Sequence, residues 1–318
     1  MMHICKICGN RKDNRIFSAR EHMLGLQDVF EYLECDRCGC FQLLDPPTNW
    51  SRYYPADYYS FQMNPDRPIK RLLKRWRAKH ALGRSSLAGA VLVRLWGPPP
   101  FTRWIAPANL RGHDSILDVG SGVGQVILDM NDAGFSNLTG IDLFIPADLL
   151  LGSGVRVLKR SIYELEGLFD FVMINHSFEH MDDPRSTLLH IARLLRPGHI
   201  LLISLPLAGK YAWRKYESYW AQLDAPRHLF LHTEETIRLL ARETGFTVRE
   251  VHYDSTAFQF WGSEQYRRQI PLHDQRSYLV HPRRSVFTKD QISGFERKAN
   301  ELNQQRDGDQ ASFYLVRQ

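Results

Sequence analysis

The stretch "SILDVGSGVGQVILDM", Ser115–Met130, decides the fold. Its opening, "SILDVG", is a short apolar run of strand length, and "GQVILDMNDAG" reads as a helix that Gly134 closes as a left-handed cap. Between them Asp118, Gly120, Gly122 and Gly124 spell D-x-G-x-G-x-G. Glycines at this spacing keep the turn tight and let a ligand lie against the backbone, while the helix N-terminus offers free N–H groups. Such a turn holds a nucleotide-like ligand, or else serves packing alone.

Strand and helix signals alternate outward from this turn, from about residue 113 onward. "NLTGID", "VRVLKRS", "FDFVMIN" and "HILLISLP" read as further strands of a parallel α/β sheet. Asp183 and Pro184 suit a helix start, with Leu188, Ile191, Ala192 and Leu195 at helical spacing and "RPG" ending it. Thr233 is placed to cap another helix that stops at Gly245. "FTVREVHY" and "SFYLVRQ" read as the last strands.

The ligand can be narrowed by charge. Asp142 ends the second strand, twenty residues beyond Gly122, where a carboxylate accepts hydrogen bonds from ribose hydroxyls. A dinucleotide fingerprint runs G-x-G-x-x-G; here Gly124 comes one residue early and Gln125 fills the third-glycine slot. Asp118, inside the turn, would repel a pyrophosphate but suits the ammonium of a methionine moiety. These details favour S-adenosylmethionine over NAD.

With those residues in view, the chain resembles the class I SAM-dependent methyltransferases. "LDVGSGVG" and "GID" are similar to their first two motifs, and "FDFVMINHSFEHMDDP" with "LLRPGHILLISLP" to later ones. The resemblance implies an α/β, Rossmann-like seven-stranded sheet whose last strand is antiparallel. It implies that Leu143 and Ser161–Ile162 border the adenine, and that Asn175 and His176 belong to the cofactor side. Family members often place an acid near Ser161; "RSIYEL" leaves that task to a serine or a backbone group. "YYPADYYSF", "WAQLDAPRHLFLHT" and "YDSTAFQFWGSEQY" resemble a bacterial subgroup that accompanies polysaccharide and glycan biosynthesis. This implies a glycan, or a nucleotide- or lipid-linked sugar, as acceptor.

The chain has 318 residues, 43% of them hydrophobic, and a net charge of +6, enough for a large domain and a small one. No apolar stretch could span a bilayer, and "MMHICKICGN" lacks the apolar core of a signal peptide, so a cytoplasmic location is expected. All five cysteines lie in the first 40 residues. Cys5-x2-Cys8 and Cys35-x2-Cys38 are each followed by glycine, the pattern of two knuckles around one structural zinc ion. Two disulfides are the alternative, disfavoured in a reducing compartment. Cys40 and His3 are read as bystanders. The expected division is a zinc-ribbon-like module over 1–45, a Tyr/Pro-rich linker with a basic helical region over 46–104, and a methyltransferase domain over 105–318. That domain is expected to carry cap insertions near 206–232 and 256–286.

Methyl transfer to a hydroxyl requires removal of a proton, and histidine is the natural base near neutral pH. His228, within "DAPRHL", is the first candidate and His180 the second, with Asp224 beside them. The plain alternative is that Asp224 and Arg227 pair to fix a loop and His180 bonds the local backbone. Tyr58, Tyr59, Tyr216, Tyr219 and Trp220 could stack on a sugar, though aromatics are more often packing. "RPIKRLLKRWRAKH", residues 67–80, is a basic amphipathic stretch. It is expected to pack its apolar face on the catalytic domain; an anionic membrane surface, or nucleic acid, is the other reading. An RNA methyltransferase and a non-catalytic SAM-binding scaffold are the rival functions. The oligomeric state is not readable from sequence.

Overall fold

The computed structural model describes residues 3–55, 68–84, 86–152 and 154–318. Tyr58, Tyr59 and Arg67 lie outside the described residues. Strands β1 (Arg15–Arg20), β2 (Val29–Glu34) and β3 (Phe41–Leu43) come first, then helices α1 (Pro68–Ala81), α2 (Leu87–Trp96) and α3 (Pro100–Ile105). The alternating region holds β4 (Ser115–Val119), α4 (Gln125–Asp132), β5 (Asn137–Ile141), β6 (Leu149–Gly152), β7 (Val155–Leu158), β8 (Phe169–Asn175), α5 (Pro184–Leu194) and β9 (Leu195–Pro206). It is followed by α6 (Tyr211–Tyr216), β10 (Phe230–Leu231), α7 (Glu234–Glu243), β11 (Phe246–Tyr253), α8 (Phe258–Arg267), α9 (Lys289–Gln304) and β12 (Gln310–Arg317).

The central sheet has the order β11-β12-β9-β8-β4-β5-β7-β6. The five strands from β9 to β7 run parallel, and β12 is antiparallel to both its neighbours. This is the expected seven-stranded arrangement with one addition: β6 pairs antiparallel with β7 as an eighth, edge strand. Leu149, Leu150 and Leu151 are all leucine although Leu150 is 87% exposed, so no alternation of polar and apolar residues marks the strand in the sequence. Elsewhere the period-2 rule holds. Phe171 and Met173 of β8 face one core with Ile116 and Leu202, while Val172 and Ile174 face the other with Leu117 and Leu201. Helices cover both faces, as buried parallel strands require.

The helix starts fall where the sequence places them. Asp183 accepts a hydrogen bond from the Ser186 N–H with Pro184 in the first turn, and Thr233 forms a capping box with Thr236. One boundary differs: β9 begins at Leu195 and absorbs "RPG" in a bulge between the Phe169↔Leu195 and Phe171↔Ile200 pairs. Gly198 takes φ +77° there, a conformation that favours glycine.

The cysteine-rich segment is continuous with the rest of the protein. β1, β2, β3 and β10 form one sheet, with Phe41 opposite Leu231. Cys5, Ile7 and Leu33 share a core with Leu188, Ile237 and Leu240. Tyr32 and Phe41 share another with Trp213, Tyr216, Trp220 and Phe260. Tyr216 and Trp220 are therefore core side chains, not a ligand platform, and Trp220 Nε1 donates to Asp309 at 2.8 Å. Tyr219 is partly exposed and stacks on His22.

Helix α1 reverses the expected packing of the basic stretch. Its charged side docks: Arg71 and Lys74 pair with Asp132 and Asp129 of α4, and Arg77 donates to the Trp96 and Gly97 carbonyls. Ile69, Leu72 and Trp76 face solvent, as do Leu87, Val91, Leu95 and Trp96 of α2. The acids that α4 presents decide this orientation, and they lie far along the chain from α1. No helix among the described residues is long and apolar enough to cross a membrane.

Candidate functional site

The parallel strands β4 and β8 lie side by side, and ligands in such sheets bind beyond the carboxyl ends of the strands. The glycine turn sits there. Gly120, Gly122 and Gly124 all take positive φ, at +73°, +52° and +82°. A Cβ at Gly120 would lie 2.1 Å from Ser177 Oγ, and one at Gly124 only 2.6 Å from Val157 Cγ2. Glycine is thus required at both positions by conformation and by close approach. Gly122 donates its N–H to Asp142 Oδ2 at 2.9 Å, and Phe144 donates to Asp142 Oδ1 at 2.8 Å. Each carboxylate oxygen still has a lone pair to offer a hydroxyl. Leu143 and Phe144 are exposed at this rim, where Phe144 stacks on Tyr54.

Asp118 is almost fully buried near the end of β4. Burial, with the charge of Asp142 added, pushes its carboxyl up to about 7. Asn175, at the end of β8, is orphaned: among the described residues neither its amide nitrogen nor its oxygen has a hydrogen-bond partner. Buried amides are rarely left so, and a ligand is the usual remedy. A cradle shaped by glycine, a buried acid without a compensating cation and an unsatisfied amide fit an adenosyl-amino-acid ligand. Ser161 spends its side chain on a capping box with Glu164, and Ile162 is buried behind it. "SIYE" carries that box openly in the sequence.

The loops after β8 and β9 meet beside this cradle. The Leu229 N–H donates to the Glu179 carbonyl, and the rings of His180 and His228 lie 4.8 Å apart. His180 Nδ1 bonds the Arg227 carbonyl at 2.8 Å, and His228 Nδ1 the Gln222 carbonyl at 2.9 Å. Burial, with His180 alongside, lowers His228 to about 4, so it is neutral at pH 7. Asp224 is placed as the plain alternative has it: both of its oxygens bind the Arg227 guanidinium, at 2.6 and 2.9 Å. Asp224 Oδ2 also lies 3.9 Å from His228 Nε2. Arg227 also reaches Glu21 of the cysteine-rich segment at 2.8 Å, both side chains being fully buried.

Sequence reasoning overlooked Glu21 and Glu179. Glu179 is completely buried, and among the described residues neither carboxylate oxygen has a hydrogen-bond partner. Burial alone would raise its carboxyl; His176, with Nδ1 3.7 Å away, outweighs this and holds it down to about 2. "SFEH" places an acid beside His180, which was the available signal.

The four knuckle cysteines converge. Cys5, Cys8, Cys35 and Cys38 have sulfurs within 4.8 Å of one another, with Cys5–Cys38 at 3.7 Å and Cys8–Cys35 at 3.5 Å. Tetrahedral bonds of about 2.3 Å to one zinc ion place sulfurs about 3.8 Å apart. Gly9 and Gly39 follow with positive φ and donate N–H groups to the Cys5 and Cys35 carbonyls. Cys40 is buried outside the group and donates to the Phe41 carbonyl.

Comparison with known proteins agrees with this geometry. The protein is 34% identical over 191 residues to the O-methyltransferase resE of Aspergillus sclerotiorum, covering 52% of this chain and 71% of that one. It is 23% identical over 122 residues to the EEF1A lysine methyltransferase 2 of Danio rerio, covering 32% of this chain and 52% of that one. Among solved structures, the SAH-bound magnesium protoporphyrin IX methyltransferase of Synechocystis PCC 6803 aligns over 84% of this chain and 95% of its own, at 13% identity and TM-score 0.44. The cyclopropane synthase MmaA2 of Mycobacterium tuberculosis aligns over 80% and 100%, at 14% identity and TM-score 0.44. The sequence model of a methyltransferase domain family matches residues 68–251, more than half the chain, from α1 into β11, and the protein belongs to the SAM-dependent methyltransferases.

Proposed function

We propose that the protein methylates a sugar hydroxyl of a glycan or of a nucleotide- or lipid-linked glycan precursor. The observation that carries this reading is the pair His180 and His228, each anchored through Nδ1 to a backbone carbonyl, with Nε2 left for chemistry beside the glycine turn. A thioether leaving group needs no acid, so an enzyme with an oxygen acceptor needs alignment and help in losing one proton. The similarity to an O-methyltransferase supports an oxygen acceptor. When bound, S-adenosylmethionine supplies the methyl group as a sulfonium. Asp118 faces its ammonium, Asp142 its ribose, and Leu143, Ser161 and Ile162 border its adenine, with Asn175 and His176 closing the cradle. Cys5, Cys8, Cys35 and Cys38 hold a structural zinc ion that fixes the sheet to which β10 belongs.

The α1–α2 surface is part of the same reading. Trp76 and Trp96 stand exposed, with Arg75 and Arg94 exposed on the same two helices. Aromatic and basic side chains so combined suit the anionic face of a membrane, where lipid-linked sugars reside. The test of function is transfer of radiolabelled methyl to nucleotide-linked and lipid-linked sugars, set beside RNA. Label in the sugars, lost in His228→Ala with S-adenosylhomocysteine binding intact, is the expected result. Label in RNA alone would overturn the sugar reading.

A further inference from the structure

We propose that Glu179, His180 and His228 form a binding site for one divalent first-row transition-metal cation, separate from the cysteine knuckles. One donor atom from each of the three lies within 4.8 Å of the other two. Glu179 is fully buried, and among the described residues neither carboxylate oxygen has a hydrogen-bond partner, an arrangement that suits a cation. The facing groups are His176 Nδ1 and His228 Nε2, 3.7 and 3.8 Å from Glu179 Oε1, both too long for a hydrogen bond.

The imidazoles are already set for metal. A carbonyl oxygen can only accept, so the Nδ1 contacts of His180 and His228 put the proton on Nδ1 in both rings. With Nδ1 carrying the proton, an imidazole offers its lone pair at Nε2. A ring nitrogen fixed on a backbone carbonyl is the usual outer support of a metal-ligating histidine. Bonds of about 2.1 Å to a shared centre hold ligand atoms up to about 4.2 Å apart, so a small closure of the three groups completes the shell. The scaffold is rigid on both sides. Leu229 ties its loop to the Glu179 carbonyl, and Arg227, whose own carbonyl holds His180, is clamped by Asp224 and Glu21. Two imidazoles and one carboxylate suit manganese, iron, cobalt, nickel or zinc rather than magnesium or calcium.

The role of this cation rests on the hydroxyl-acceptor reading above. Its charge makes a hydroxyl held against it a stronger acid near neutral pH. The proton leaves to solvent, the O–CH3 bond forms as the S–CH3 bond breaks, and the sulfur keeps the electron pair. On this account the two histidines hold the cation rather than take the proton.

The test is titration of the full-length, zinc-loaded protein with MnCl2, following free Mn2+ by electron paramagnetic resonance, together with elemental analysis for a second equivalent of zinc. One Mn2+ per chain is expected, with affinity lowered at least tenfold in Glu179→Gln and in His180→Gln. The second variant alters a partly exposed side chain and so guards against a folding defect. S-adenosylhomocysteine binding should be kept in both. Failure of the wild-type protein to take up either metal beyond the cysteine site overturns the proposal. Sugar methylation without that metal would also overturn it while leaving the acceptor reading intact. Metal bound at this site with no hydroxyl methylated would support the site and remove the acceptor reading.

Discussion

Replacing Asp118 by asparagine should make the protein more stable and worse at binding its cofactor. The carboxyl is buried and raised to about 7, against about 3.8 for an unperturbed group. Between those values the unfolded chain has released the proton and the folded one retains it, so stability is lost as pH rises from 4 to 7. The shift converts to about 4 kcal/mol of destabilisation at pH 8 and less than half of that at pH 5. The replacement amide carries no charge, so the variant should gain most at pH 8 in denaturant melts and little at pH 5. Binding runs the other way. A ligand ammonium that requires ionised Asp118 binds about tenfold more weakly at pH 6 than at pH 8, because most of the free protein is then protonated. Calorimetric titration with S-adenosylhomocysteine at pH 6, 7 and 8 reads this directly. Asp118→Asn should bind ten- to a hundredfold more weakly than wild type at pH 8, the loss of about 1.5–3 kcal/mol of charge-assisted bonding, with no pH slope. Equal wild-type affinities at pH 6 and 8, or the same slope in the variant, would refute the reasoning.

Four further outcomes follow from the geometry. Gly120→Ala drives a methyl into Ser177 and should abolish S-adenosylhomocysteine binding, whereas a Gly294→Ala control in α9, whose Cβ meets only Arg297 Nη2 at 3.9 Å, should bind as wild type. Glu21→Gln removes one of the two carboxylates paired with the buried Arg227 and should cost about 3 kcal/mol in urea unfolding; a change below about 0.5 kcal/mol would mean that the pair is solvated. Cys38→Ser should reduce bound zinc at the knuckles and lower the thermal midpoint, as measured by elemental analysis and calorimetry, because these cysteines share the core of α5 and α7. Trp76→Asp together with Trp96→Asp should abolish sedimentation with vesicles containing phosphatidylglycerol, and unchanged sedimentation would remove the membrane reading.

The sequence by itself determined whatever depends on neighbours a few residues apart. The glycine spacing of the turn, the caps at Asp183 and Thr233, the alternating strands and the two cysteine knuckles are local patterns with local causes. Tertiary structure decided what depends on partners distant in the chain. Edge strand β6 exists because β7 offers a free side, not because its own residues alternate. The basic stretch turns its apolar side outward because Asp129 and Asp132 of α4 attract its cations, a preference that amphipathic periodicity cannot carry. Asp224 is bound to Arg227 because a guanidinium buried without a carboxylate would be strongly destabilising, and Glu21 completes that clamp from 206 residues away. Glu179 reads as an ordinary acid beside a histidine; folding strips it of water and leaves it facing His176 and His228 at 3.7 and 3.8 Å.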